Sequence, residues 1–162
     1  MKTLLIAVAA TLCLFTQSLP ANTLKDVVGS WKVRLDGFVD GWKVATVTGT
    51  MRVTQLGKNS FSIVMTLNGK TIDGESNTWN SNLWMFQNGK TAGYQTSGSD
   101  TTSVESGTWR VSGNKIDFNS TAYSPGEKPS SSNTSFIRRN IKKFDIAGSD
   151  ESGYKIKGSM TK

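Results

Sequence analysis

Repeatedly along the chain a glycine is followed by residues that alternate between apolar and charged or polar. Gly29-Ser30-Trp31-Lys32-Val33, Gly49-Thr50-Met51-Arg52-Val53 and Gly107-Thr108-Trp109-Arg110-Val111 show it in full. Gly41-Trp42-Lys43-Val44 and Gly153-Tyr154-Lys155-Ile156 are shorter versions. In an extended chain successive side chains point to opposite faces, which puts Trp31, Val33 and Leu35 on one side and Lys32, Arg34 and Asp36 on the other. The repeated unit reads as a half-buried strand entered from a glycine turn.

A chain of 162 residues holds one domain with a real core. Its 16 glycines against 3 prolines suit many short strands joined by tight turns. The expected class is all-β.

The first residues are set aside from the fold. Met1-Lys2 is a short positive start, Leu4 to Phe15 an apolar run, and Thr16 to Ala21 a polar, small-residue end, so residues 1–21 read as a cleaved secretory signal. Cleavage is expected after Ala21, with Ser18 the second choice. The run falls short of the ~20 residues a membrane-spanning helix needs, and nothing later in the chain is apolar enough to span. The domain is therefore expected over 22–162, secreted or periplasmic. The single cysteine, Cys13, lies inside the leader and reads as apolar filler.

A mature chain without Cys or His has no disulfide, no Cys nucleophile, no Ser-His-Asp triad and no zinc site of the usual kind. Carboxylate pairs remain. Asp73 and Glu75 share a strand face by their spacing, but beside Gly74 they read as a solvated face rather than a glycosidase pair. No calcium-loop spacing, nucleophile elbow or phosphate-cradling glycine loop is present in the sequence. The expectation is a protein that is not an enzyme and has no cofactor.

The formal net charge is +7, one unit of it on Lys2 in the leader. A basic secreted protein meets anionic envelope surfaces. Nucleic acid is not expected, because the alternation sends Lys32, Arg52, Arg110 and Lys155 away from the aromatic face on which bases would stack. Arg138, Arg139, Lys142 and Lys143 form the densest basic patch. A monomer is expected.

In chain order, Leu24, Val27 and Val28 have helical spacing and predict one helical turn plugging an end of the fold. Strands are expected at about 30–35, 42–55 with a kink at Gly49, 61–67, 71–76, 83–87, 91–96, 104–111 and 115–123. Asp36-Gly37, Asp40-Gly41, Asn68-Gly69 and Asn88-Gly89 are the turn signals between them. Residues 124–133, with Pro125, Pro129 and a serine run, read as a loop. Residues 136–144 fit either a strand or a helix, with strand preferred; Asp145 to Gly153 reads as a hairpin loop before a last strand at 154–160.

Such a meander removes its edges by closing into an up-and-down antiparallel β-barrel of about 8 to 10 strands, with a sandwich as the alternative. Leu24-x-x-Val27-Val28-Gly29-Ser30-Trp31 resembles the start of the lipocalin-like (calycin superfamily) barrels, where a helical turn leads into a Gly-x-Trp strand. The resemblance implies that Trp31 closes one end of the barrel and that a late arginine, Arg138 or Arg139, covers it. The second signature of that family, a Thr-Asp-Tyr turn, is absent from the sequence, as are its disulfides.

A barrel of this size either fills itself or holds one small ligand. The leading expectation is a binding protein for a small hydrophobic or amphipathic ligand, with Trp42, Met65, Trp79, Trp84, Phe86, Tyr94 and Phe118 as candidate contacts. The alternative uses the surface from Trp79 to Phe86, apolar on both faces, to meet an envelope partner, a protease or a glycan.

Overall fold

The structure, a computed structural model, describes residues 20–97 and 101–162. Residues 1–19, with Cys13 and most of the expected 1–21 secretory signal, lie outside them. One helix, α1 (Pro20–Val27), precedes ten strands: β1 (Gly29–Val39), β2 (Trp42–Gly57), β3 (Ser60–Thr71), β4 (Ser76–Met85), β5 (Lys90–Ser97), β6 (Thr101–Ser112), β7 (Lys115–Tyr123), β8 (Ser130–Asn140), β9 (Lys143–Asp150) and β10 (Lys155–Thr161). Each strand pairs antiparallel with the next, and β10 returns to pair with β1, closing the barrel and ruling out a sandwich. The alternation is obeyed: β1 buries Trp31, Val33 and Leu35 and exposes Lys32 and Arg34.

The two ends differ. At one, α1 lies across the opening, with Val27 buried and the Thr23 hydroxyl donating to the Gly113 carbonyl at 3.1 Å. Trp31 is 2% exposed beneath it, donates its Nε1–H to the Val27 carbonyl at 2.7 Å and meets Phe144 edge-on at 5.3 Å. Phe61, Met85, Trp109, Ile116 and Met160 fill the layer around it. Burying side chains of this size from water stabilises by about 1.5–3 kcal/mol each, so this packed end is where the barrel's stability concentrates. The cation over the Trp31 ring is Lys162, with Nζ 4.5 Å from the ring centre, and not an arginine. Arg138 instead pairs with Asp26 of α1, Nη2 to Oδ2 2.5 Å, and Arg139 pairs with Asp145.

Several local expectations are corrected. Gly49 and Gly107 end no turn; both lie in mid-strand on the inward face, and the register of β2 runs through Gly49 unbroken. A Cβ at Gly49 would stand 2.1 Å from the Thr66 carbonyl oxygen, and one at Gly107 2.1 Å from that of Asn119. Backbone this close leaves no room for a side chain, and only glycine fits there. Asp36-Gly37 is strand; the β1–β2 turn is Asp40-Gly41, with φ 49° and 85°. Asn68-Gly69 is also strand, and β3 turns at residues 72–75, which carries Asp73 and Glu75 out of any strand face. The Asn-rich stretch 77–82 is the body of β4, not a connection. The loop after β7 is only 124–129 and β9 occupies most of the expected hairpin loop, whereas residues 136–144 are strand as preferred, apart from the turn at 141–142.

Candidate functional site

Trp31, Trp109 and Phe144 fill the α1 end, whereas the interior toward the other end is not filled. A cavity of about 280 Å³ lies there, and its lining is unequal around the barrel. Val33, Leu35, Met51, Ile63, Met65 and Leu67, with Leu83, make one wall from β1 to β4. Thr91, Gln95, Glu105, Ser120, Ser132 and Thr134 make a polar arc from β5 to β8, interrupted by Phe118 and Phe136, which meet edge-on at 5.3 Å. Within the arc the Ser120 and Ser132 hydroxyls are 3.1 Å apart. Strand parity places these side chains: on β6 the positions that share a face with buried Trp109 are Gly107, Glu105 and Ser103.

Glu105 is the only titratable side chain in the lining, and burial pushes its carboxyl up from the ordinary value. A carboxylate away from water is disfavoured unless something supplies charge or hydrogen bonds in return. None of the ion pairs found among the described residues includes it. A wider depression of about 400 Å³ runs over β7 to β9 among Thr121, Ser131, Asn133, Ser149 and Glu151. It is a hydroxyl-lined groove open to solvent with no apolar enclosure, so the interior cavity is the better ligand site despite its smaller volume.

The expected contacts divide. Met65 and Phe118 line the cavity. Trp79 is not in a loop: it is an inward position of β4, half-buried, with its ring over Gly69, where a Cβ would stand 2.2 Å from Trp79 Cη2. That close approach explains why Asn68-Gly69 is not a turn. Trp84 and Tyr94 face outward on β4 and β5, ring centres 6.0 Å apart, so they belong to the outer wall. Tyr94 continues into Val104 and Tyr123, paired in register and both exposed. Phe86 sits in the β4–β5 turn at the α1 end, where its carbonyl accepts the Trp109 indole N–H at 2.8 Å. Trp42, 78% exposed, stands on the rim of the open end. The surface from Trp79 to Phe86 is therefore split by the wall.

The basic patch is partly neutralised. Arg138 is held by Asp26, Arg139 by Asp145 at 2.6 Å, and Lys143 lies 4.0 Å from the same carboxylate; Lys142 is in the β8–β9 turn. Glu105, Gln95, Leu83 and Phe136 are lining residues that the sequence reading missed. Extending the parity of Trp109 back along β6 finds Glu105.

No family model matches the sequence, and no curated protein matches it. Solved structures do. Rv2717c from M. tuberculosis superposes with a TM-score of 0.55 at 16% identity, over 87% of this chain and 95% of that one. The S-type phycobiliprotein lyase CPES from Guillardia theta gives 0.50 at 11%, over 90% and 91%. The redesigned β-barrel mFAP1, bound to DFHBI, gives 0.48 at 16%, over 90% and 100%. At such identities the likeness is one of fold alone, a closed antiparallel β-barrel.

Proposed function

We propose that this chain is a binding protein that holds one small, predominantly apolar molecule in the open half of its barrel. The observation that carries the reading is the cavity of about 280 Å³, apolar along β1 to β4 with a polar arc facing it. That volume is just under the usual ligand-pocket range of about 300–1,000 Å³, which suits a ring or a short chain rather than a long acyl tail. With Glu105 as its single titratable group, the lining offers no acid and base pair, and binding is favoured over catalysis. The leader-like first residues support a site of action outside the cytoplasm.

Native mass spectrometry of the protein purified from its own host, with Met65→Trp alongside, tests this. The expected result is a co-purifying mass on the wild type that is lost in the variant, since the larger ring occupies the cavity. A bare wild-type protein that also fails to take up any small aromatic or aliphatic compound would refute it.

A further inference from the structure

The placement of one carboxyl group says which end of a ligand belongs where. Glu105 enters the interior from β6, with Gly93 opposite it on β5 and Ala122 opposite it on β7. Both neighbours are small, one without a side chain and the other with a single methyl group. A Cβ at Gly93 would lie 3.0 Å from Glu105 Oε1, so the missing side chain leaves the carboxyl its space.

Among the described residues no cation shares that space. Lys90 and Tyr94 on β5, Arg110 on β6, and Lys115, Asp117 and Tyr123 on β7 all stand at outward positions. Across the barrel, Tyr154 lies against Gly37. In a chain with 19 Lys and Arg against 12 Asp and Glu, Glu105 thus faces the cavity with no cation paired to it among the described residues.

We propose that the cavity takes a small amphipathic amine, its apolar body against the β1 to β4 wall and its ammonium group on the Glu105 carboxylate. The inference rests on the binding reading above and specifies its ligand class. An ammonium group supplies the countercharge and hydrogen-bond donors that the half-buried carboxylate lacks. Gln95 and the Ser120 and Ser132 hydroxyls offer further acceptors on the same arc. A ligand carboxylate would be repelled, and a neutral hydroxyl would give a hydrogen bond without the charge. A metal ion needs several ligands, and no group of three or more His, Cys, Asp or Glu occurs among the described residues.

Three probes of matched shape separate this idea from the reading beneath it: phenethylamine, phenethyl alcohol and hydrocinnamate, titrated into the full mature protein and followed by NMR. Expected for the wild type is binding of the amine about tenfold tighter than the alcohol, with the acid weakest, the size of step a charge-assisted hydrogen bond gives. Glu105→Gln is expected to abolish the tenfold preference for the amine over the alcohol. The amine should also weaken as pH falls and the carboxyl is protonated. An acid or alcohol that binds as tightly as the amine overturns the amine assignment and leaves the binding reading standing. If none of the three binds, both fall. The wild-type ranking decides the matter even if the variant misfolds.

Discussion

Lys162, the last residue of the chain, holds its ammonium 4.5 Å from the centre of the Trp31 ring. The same Nζ donates to the carbonyls of Asp26 at 3.1 Å and Val28 at 2.9 Å, so one side chain ties the C-terminus to both sides of the α1–β1 junction. Replacing Lys162 by Met keeps the apolar stem and removes the charge. A loss of about 1 kcal/mol is expected, from the cation–π contact and the two exposed hydrogen bonds. Trp31→Ala should cost at least about 3 kcal/mol, as a large cavity opens under α1. Urea unfolding curves measure both, and equal effects of the two variants would contradict the arrangement.

Gly69 and Trp79 should behave as a unit. Gly69→Ala puts a methyl group into the space of the indole ring, and overpacking of this kind costs about 1–3 kcal/mol. In a Trp79→Ala background the same substitution should cost little, giving a coupling of about 1 kcal/mol or more in a double-mutant cycle. Gly49→Ala has no such rescue, because the obstruction there is the Thr66 carbonyl and not a side chain.

Stability should respond to pH through Glu105 in the opposite sense to a surface acid. Its folded-state carboxyl is raised above its unfolded value by burial. The folded state therefore holds the proton more tightly: the stabilising contribution is complete below the unfolded value of about 4.5 and is lost as pH rises through the folded one. Asp36 is the contrast, since the Lys43 ammonium hydrogen-bonded to it at 2.7 Å holds its carboxyl below the ordinary value. Its contribution is present above that value and is lost in acid. Urea midpoints of the wild type and Glu105→Gln, taken at intervals from acid to neutral pH, should converge in acid and favour the variant near neutrality. A wild type that gains on the variant as pH rises would show the sign to be wrong.

Filling the cavity should remove binding without removing the fold. Met65→Trp is expected to lower the affinity for phenethyl alcohol at least tenfold, roughly the effect of losing well-packed apolar contact. The circular dichroism spectrum should stay unchanged. Unaltered affinity would place the ligand outside the lining described.

The barrel class, the interior face and the closed end were legible because they rest on period-two alternation, which burial enforces along each strand. Trp31, Phe61, Ile116 and Phe118 all lie where that alternation puts them. The misreadings came where a local signal served a distant contact. Gly69 answers to Trp79 on the neighbouring strand and not to a turn. The asparagines around Trp79 resemble a loop, yet Asn80 accepts the Thr66 hydroxyl at 3.0 Å and Asn68 that of Thr78 at 2.9 Å, a polar ladder on the outer wall of β3 and β4. Which cation covers Trp31 was not legible at all, because it depends on where the chain's last residue lands once β10 meets β1.

The pairing of β1 with β10 also sets when the molecule becomes complete. Lys32 lies opposite Thr161 and Val33 opposite Met160, so β1 has no second neighbour until β10 has been made. A chain emerging vectorially from the ribosome carries β1 as a bare edge until then. During that interval β1 is open to pairing with other copies of itself.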